Sequence, residues 1–295
     1  MAEGLFAFLG RDLRESLEAG FQRSAAASPR GGQWLWRWAL LSTLVGLILF
    51  LFRGYHAGFS SVNGLAAEAP DWTWQWLTVL GDERVAFALT LFFTHRYPRV
   101  FWSLVAAALI GVAFTHSLKP LFCALRPPAV LEPGSFTLVG PGHRKASFPS
   151  GHTVTAAIFF GVWVYYVRAS WLRLLLVLLA IATGLSRVAV GVHWPVDVAA
   201  GMAGGATSAS LGVLVARRAE GFAKEPWIHL ALVITAAVMA VSLFLWDGGY
   251  QLAAPMQRLL AVATLGYAAF TYLIGPIRRR LTEPEQRPTR VFHRR

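Results

Sequence analysis

Three short polar segments interrupt long apolar stretches of the sequence, and each contains residue types that bind anions or transfer protons. The first is KPLFCALRP (119–127), the second is FPSGH (148–152), and the third is SRVAVGVHWPVD (186–197). Their lysine, arginine, histidine, serine and aspartate side chains offer cationic donors, a nucleophile and a group that can orient it. Whether these groups act on one ligand depends on where the chain places the three segments.

The first segment places two cations, Lys119 and Arg126, seven residues apart. If the turn stays helical, they project on nearly the same side, roughly 10 Å apart along the axis. Two such cations repel unless an anion lies between or beside them. The alternative is that each side chain snorkels to the interface at a helix end.

The second segment has the pattern of a helix start. Ser150 is a predicted N-cap, and Gly151 lets the backbone come close to a ligand, so free N–H groups and the helix dipole would face an anion. His152 then lies in the first turn. The alternative is a Ser-Gly capping turn with a histidine that takes no part in chemistry.

The third segment combines a histidine with an acid. Pro195 suits the first position of a helix, which puts Asp197 in its first turn and His193 just ahead of it. A carboxylate four residues after a histidine can accept the imidazole N–H and leave the other ring nitrogen free as a nucleophile. Alternatively, Asp197 is only a residue that the helix dipole favours.

The elements that carry these segments are predicted to be membrane-spanning helices. The chain is 56% hydrophobic and 14% charged, and its mean hydropathy is +0.51, so it is more apolar than soluble domains. Most apolar segments reach the roughly 20 residues that a helix needs to cross a bilayer. We therefore predict an all-α, polytopic membrane helix bundle. The eight segments are 35–52, 84–95, 100–118, 152–167, 171–190, 195–216, 227–246 and 256–276.

The order of the spans brings the polar segments together. The first ends span three, the second begins span four, and the third joins spans five and six, so all lie on the same membrane face in either orientation. Cations, a helix N-terminus and two histidines in one place describe a pocket for a phosphate dianion and its in-line transfer. Ionisable residues at membrane depth are costly, which favours a functional reading.

Charge predicts the orientation. The formal net charge is +12, and nineteen of the 27 Lys and Arg residues fall on the side of the N-terminus when the spans are counted from there. This predicts cytoplasmic termini and an outward-facing site, which in a bacterial inner membrane faces the periplasm. The same asymmetry explains the positive charge without a nucleic-acid partner. Cys123 is the only cysteine, so no disulfide forms within the chain.

The pattern K-x6-RP, PSGH and SR-x5-H-x3-D resembles the type 2 phosphatidic acid phosphatase family, the membrane branch of the vanadium haloperoxidase superfamily. The resemblance covers roughly residues 73 to 217. It implies that His193 attacks phosphorus, Asp197 orients it, and His152 protonates the leaving oxygen. It also implies no metal and no cofactor. The implied ligands of the non-bridging oxygens are Lys119, Arg126, Ser150, Gly151 and Arg187, and Ser186 completes the signature.

This resemblance also divides the chain. We expect a cytoplasmic N-terminal segment (1–33), a six-span phosphatase core (34–217), two additional transmembrane helices (218–276) and a basic cytoplasmic tail (277–295). Within the first segment an interfacial helix is predicted over 5–21, because Leu5, Leu9, Leu13, Leu17 and Phe21 recur every four residues. The last two spans could pack on the core, mediate association or shape the path by which lipid enters.

The sequence leaves several functions open. The leading hypothesis is a lipid phosphatase acting on undecaprenyl diphosphate, phosphatidylglycerol phosphate, phosphatidate or a lipid A phosphate. A phosphotransferase would pass the same phosphoryl group to a lipid or sugar acceptor. A haloperoxidase fits poorly with eight apolar spans, and a transporter or scaffold would need none of the signature chemistry. The expected partners are the lipid substrate and membrane lipids, and nothing indicates the oligomeric state.

Overall fold

The computed structural model describes residues 4–23 and 29–282, and every regular element in these ranges is helical. The all-α prediction is therefore confirmed. A π-helical turn, Phe270–Ile274, joins the last two α-helices. The helices are α1 (Leu5–Arg23), α2 (Pro29–Arg53), α3 (Phe59–Ala66), α4 (Asp71–Val79), α5 (Glu83–Thr90), α6 (Pro98–Phe122), α7 (Pro127–Val130), α8 (Gly151–Tyr166), α9 (Ser170–Ala189), α10 (Pro195–Arg218), α11 (Glu220–Ala223), α12 (Pro226–Leu245), α13 (Ala254–Ala269) and α14 (Gly275–Thr282).

Six helical stretches in the described part of the chain are long and apolar enough to cross a membrane. This confirms a polytopic bundle and an integral membrane protein. A seventh apolar helix, α8, has 16 residues and lies at the centre of the bundle, where ten of its residues are buried. The six stretches are Arg30–Arg53, Pro98–Val130, Ser170–Ala189, Pro195–Arg218, Pro226–Leu245 and Gln251–Thr282.

The predicted span 84–95 is wrong as a single helix. Asp82 begins α5 by accepting a hydrogen bond from the Arg84 backbone nitrogen at 2.8 Å, and the helix stops at Thr90. The chain nevertheless runs the length of the bundle here. A Cβ on Gly81 would lie 2.6 Å from the carbonyl oxygen of His152, whereas the carbonyl of His95 lies against Gly20 of α1, at the far end. The chain therefore still crosses from one end of the bundle to the other over this stretch. The three polar segments can for this reason meet at the same end, as predicted.

Helix α10 is the central element of the bundle and packs directly against α2, α6, α8 and α9. Small residues on α10 allow this close approach, as expected for helices that associate in lipid. A Cβ on Gly205 would lie 2.5 Å from the Cβ of Ala157 on α8. The buried core around it includes Leu35, Val100 and Met202. Helix α10 thereby fixes the spacing between the helices that carry the polar segments.

The loops after α2, α6, α9 and α12 meet at one end of the bundle, here called the site end. Buried Asn63 on α3 joins the first three of these regions, because its Nδ2 donates to the carbonyls of Thr137 and Ala189 at 2.9 and 3.0 Å. Its Oδ1 accepts from the Thr137 backbone nitrogen at 2.9 Å. The segment 127–149 is a loop apart from the single turn of α7. Hydrogen bonds thus link the loops of the site end to one another.

The opposite end is covered by α1, the helix predicted over 5–21. Leu17 and Phe21 are buried, so the predicted apolar side packs on the bundle. Arg99 of α6 donates to the Phe21 carbonyl at 3.0 Å, and Arg279 of α14 forms a bidentate pair with Asp12 at 2.8 and 2.7 Å. The helix therefore connects the N-terminal part of the chain to α6 and α14. Residues 283–295 of the predicted basic tail, with Arg287, Arg290, Arg294 and Arg295, lie outside the described residues.

The two C-terminal spans pack on the core through α5, which contacts both α12 and α13. Near the opposite end, the Tyr272 hydroxyl bonds Thr94 at 2.9 Å and His229 at 2.8 Å. At the site end, Arg84 donates to the Trp246 carbonyl at 2.7 Å. Packing on the core, one of the roles considered for these spans, is therefore observed.

We expect Gly212→Ala to destabilise the bundle. A Cβ at Gly212 would lie 2.5 Å from the backbone nitrogen of Ala107 on α6, so one helix must move, at a cost of about 1–3 kcal/mol. The measurement is the midpoint of thermal unfolding in detergent. The control is Gly266→Ala on α13, where a Cβ meets nothing within 4 Å and the midpoint should stay equal or rise. An unchanged midpoint for Gly212→Ala would contradict close α6–α10 packing.

Candidate active site

A cavity of about 480 Å³ opens at the site end between α5, α6 and α8. Its polar end is lined by six of the eight residues or groups predicted to act on phosphate, together with His143. The other two predicted residues, Ser150 and Asp197, are fully buried behind this lining. The predicted residues that line the cavity are Lys119, Arg126, Gly151, His152, Arg187 and His193.

Lys119 and Arg126 reach the cavity by a different route from the one predicted. Helix α6 ends at Phe122, and Cys123 takes a left-handed conformation with φ of 45°. Arg126 is therefore extended, with φ −87° and ψ 161°, and the helical spacing does not apply. The residue before a proline avoids helical conformation, and Pro127 was a signal for this break.

Arg126 is held by the loop that crosses over it. Its Nε donates to the Lys145 carbonyl at 2.9 Å and its Nη2 to the Ala146 carbonyl at 3.3 Å. Because both partners are neutral carbonyl groups, they do not offset the positive charge that the guanidinium presents to the cavity. The side chains of Arg144 and Lys145, the other outer cations of this region, are exposed.

The second segment forms the helix start that was predicted. Ser150 occupies the N-cap position of α8, although its hydroxyl makes no capping bond and instead accepts from Thr153 Oγ1 at 2.8 Å. Gly151 lines the cavity, and a Cβ there would lie 3.9 Å from the Lys119 ammonium nitrogen. The free N–H groups of α8 thus begin beside a lysine, an arrangement suited to an anion.

The third segment forms the predicted pair. Pro195 begins α10, and Asp197 Oδ2 lies 3.2 Å from Nδ1 of His193. The same oxygen accepts from the Trp194 backbone nitrogen at 2.9 Å. A carboxylate at Nδ1 favours the tautomer with its proton there, so Nε2 is the ring nitrogen with a free lone pair.

Two residues that sequence reasoning missed complete the shell of Asp197. Ser147 Oγ donates to Oδ2 at 2.5 Å, and the hydroxyl of Tyr55 donates to Oδ1. Four donors therefore fix one buried carboxylate. Tyr55 follows α2, 142 positions away in sequence, and no local pattern marks it. Ser147 lies just before the PSGH motif, where a hydroxyl near the predicted site was the only available signal.

Arg187 is buried, with 2% of its surface exposed, and is anchored by two hydroxyl groups. Its Nη1 donates to Thr78 Oγ1 at 2.5 Å and to the Tyr250 hydroxyl at 2.8 Å. Neither partner was predicted from the sequence. Ser186, its neighbour in the signature, donates to the Thr183 carbonyl at 2.6 Å within α9 and does not line the cavity.

The electrostatics of the cavity favour a neutral nucleophile. Burial, together with the nearby Arg126, Arg187 and Lys119, lowers the pKa of His193 well below its ordinary value. Burial and Arg126 also lower the pKa of His143 at the rim. In the described part of the chain, no group of three or more His, Cys, Asp or Glu side chains is arranged to hold a metal ion. The excess positive charge is suited to a multiply charged anion.

Comparison with known proteins identifies the family of this chain. The model of the PAP2 superfamily matches residues 99–220. An undecaprenyl-diphosphatase of Sulfolobus acidocaldarius is 31% identical over 155 residues, which are 52% of this chain and 69% of that protein. This chain belongs to the PAP2 superfamily.

Other PAP2 proteins are also similar. A lipid A 1-phosphatase of Rhizobium johnstonii is 33% identical over 121 residues, covering 40% of this chain and 47% of that protein. The crystal structure of Aquifex aeolicus LpxE is 26% identical, with a TM-score of 0.47, and the match covers 54% of this chain and 92% of that one. The PAP2 match at 99–220 excludes Tyr55, Thr78 and Tyr250, so contacts from outside it complete the candidate site.

We expect Asp197→Asn to lower kcat by about 10³- to 10⁴-fold, because an amide can present its NH2 group to His193 and favour the wrong tautomer. Initial rates of phosphate release from a lipid phosphate measure this. Tyr55→Phe removes one of the four donors and should cost about tenfold. Wild-type kcat in Asp197→Asn would show that the carboxylate does not orient His193.

Proposed function

We propose that this protein removes phosphate from a lipid phosphate or lipid diphosphate through a phosphohistidine intermediate on His193. One observation carries the proposal: a single cavity joins the cationic, histidine-lined end to an apolar groove at membrane depth. The apolar part is lined by Ala86, Phe87, Leu104, Val105, Ala108, Val112, Val154, Ile158, Phe159 and Met239.

The length of the groove supports a substrate with a hydrocarbon tail. Along α6 the lining runs from Leu104 to Lys119. Fifteen residues of helix rise ~22 Å, most of the roughly 30 Å thickness of a bilayer core. A phosphate held by Lys119 would leave an attached chain lying along Val112 and Leu104. A water-soluble phosphate ester would use none of this surface.

In the first proposed step, Nε2 of His193 attacks phosphorus while Asp197 stabilises the positive charge that develops on the imidazole. The bond from phosphorus to the leaving oxygen breaks, and this oxygen takes a proton from His152, which is protonated in the complex because the substrate anion offsets the nearby arginines. Lys119, Arg126, Arg187 and the Gly151 N–H stabilise the charge on the non-bridging oxygens. Ser150, the other predicted phosphate ligand, is buried behind the lining, where its hydroxyl accepts from Thr153, so its part in the proposed reaction is to begin α8.

In the second step, water attacks the phosphohistidine and His152, now neutral, accepts a proton from that water. The N–P bond breaks, neutral His193 returns, and inorganic phosphate leaves. If a lipid or sugar hydroxyl took the place of water, the same intermediate would give a phosphotransferase. Hydrolysis is favoured here because His143, which lines the cavity, is exposed, so that water can reach the polar end.

The proposed chemistry needs neither metal nor cofactor, because protein groups supply all the positive charge and both proton transfers. The substrate class comprises undecaprenyl diphosphate, phosphatidylglycerol phosphate, phosphatidate and lipid A phosphates. The names of the relatives from Sulfolobus acidocaldarius and Rhizobium johnstonii support a lipid of the first or last kind. We further propose a bacterial inner membrane location, cytoplasmic termini and a periplasmic site. The support is the sequence-based count, which assigns nineteen of the 27 Lys and Arg residues to the side of the N-terminus.

His193→Ala should abolish phosphate release, with a loss on the order of 10⁴-fold or more, since no other side chain can form the intermediate. The measurement is phosphate released by purified protein from a panel of lipid phosphates and diphosphates. His95→Ala, at the opposite end of the bundle, is the matched control and should retain activity. Undiminished release from His193→Ala would refute the assigned nucleophile.

The same assay separates the alternatives. Release should persist in EDTA, and a loss that magnesium restores would contradict a metal-free reaction. A requirement for an added lipid or sugar acceptor would point to phosphotransfer. Absence of turnover on every substrate of the panel would favour a transporter or scaffold.

Val112→Trp should raise KM for a long-chain lipid phosphate by about tenfold and leave KM for a water-soluble short-chain ester unchanged. Val112 lines the groove and is 54% exposed, so an indole there occupies the path of the chain without disturbing the polar end. Val262→Trp is the control, because Val262 is similarly exposed, at 59%, but lies on α13 away from the groove. Equal effects on both substrates would mean that the tail binds elsewhere.

A further inference from the structure

The guanidinium of Arg187 is anchored along one side only. Nη1 uses its two N–H groups on Thr78 and Tyr250, at 2.5 and 2.8 Å. Nε is buried and has no hydrogen-bond partner among the described residues. An unsatisfied buried N–H on a cation is costly, so its presence calls for a ligand. Because Arg187 lines the cavity, the unpaired side of its fork is available to an oxyanion there.

Tyr250 belongs to the loop between α12 and α13, in the C-terminal spans. Its side chain is 4% exposed and does not line the cavity, so it has no direct access to a ligand held there. Its ring centroid lies 5.8 Å from Cζ of Arg187, which adds a cation–π contact to the hydroxyl bond. Tyr250 therefore acts on the cavity only through the arginine.

The loop that carries Tyr250 is fixed to the core on both sides. Before it, the Trp246 carbonyl accepts from Arg84 at 2.7 Å. After it, the Leu252 nitrogen donates to Gln75 Oε1 at 2.9 Å. The ring itself packs on Gly140, where a Cβ would lie 2.7 Å from Cε1 of Tyr250. These contacts leave the hydroxyl little freedom to move away from Arg187.

We propose that Tyr250 is a positioning residue that, together with Thr78, holds Arg187 with its free edge toward the transferring phosphoryl group. The C-terminal helix pair is then part of the catalytic unit, although it lies outside the residues that match the superfamily model. This inference rests on the proposed phosphatase function. Without the anchors, the guanidinium could turn toward other acceptors, and the fork would meet phosphate less often in the bidentate geometry.

The test is Tyr250→Phe in the full-length purified protein. A hydrogen bond to a charged group is lost, so kcat/KM for a lipid phosphate should fall about 10- to 100-fold. The inhibition constant for vanadate, a phosphate mimic, should rise by a similar factor while the thermal midpoint stays near the wild-type value. Thr78→Val removes the other anchor from a different helix and should shift both quantities in the same direction, which covers the case in which Tyr250→Phe fails to fold.

The matched control is Tyr272→Phe. It removes a hydroxyl that bonds the same helix pair to Thr94 of the core at the opposite end, and to His229 within the pair, and should leave the vanadate constant unchanged. An equal loss of kcat/KM in Tyr272→Phe and Tyr250→Phe would overturn the inference, because packing of the helix pair on the core would then explain both losses. Wild-type kinetics in Tyr250→Phe and Thr78→Val would also overturn it. If the wild-type protein releases no phosphate from any lipid, that result would instead contradict the proposed function.

Discussion

The structure depends on keeping the charge of two arginines, the half-buried Arg126 and the buried Arg187, unneutralised at the end of a membrane bundle. Arg126 donates to carbonyl oxygens and Arg187 to hydroxyl oxygens, and neither forms an ion pair with a carboxylate in the described residues. Hydrogen bonding satisfies part of each guanidinium without cancelling its charge. With Lys119 beside them, the cavity carries a positive potential that only an anion relieves.

The buried acid behind His193, Asp197, is prevented from relieving this potential. Asp197 accepts four hydrogen bonds, from Tyr55, Ser147, the Trp194 backbone and His193. The carboxylate is engaged by these four donors, and it lies at Nδ1 of the imidazole rather than at Nε2. His193 can therefore respond to both kinds of group. The cations lower its pKa, and in the proposed mechanism the acid stabilises the positive charge that the imidazole gains when it attacks phosphorus.

The sequence predicted the residues that line the cavity better than the residues that hold those side chains in position. Lys119, Arg187 and His193 stand at fixed spacings in short polar segments, and the order of the spans was enough to bring those segments to one end. The geometry between Lys119 and Arg126 was wrong, because the left-handed Cys123 ends the helix early. The span at 84–95 was wrong because apolar composition does not show that a helix is interrupted.

The supporting hydroxyls could not be predicted, since each reaches its partner across a long stretch of chain. Thr78 and Arg187 are 109 positions apart, and Tyr250 lies 63 positions beyond that arginine. A tyrosine or threonine next to an apolar segment is ordinary in a membrane protein, where aromatic residues gather at the interface. Only the three-dimensional packing distinguishes these residues from many others of the same type.

The relative positions of the site residues are set by helix packing deeper in the bundle. Apolar surface gives helices little reason to associate in lipid, so close contact requires small residues. On α10, Gly201 lies so near α8 that a Cβ would be 2.9 Å from the Ser150 carbonyl. The Ser150 nitrogen in turn donates to the Asp197 carbonyl at 3.2 Å. The acid on α10 and the histidine in the first turn of α8 are thus held in register by a glycine contact one turn deeper, and the chemistry at the surface depends on it.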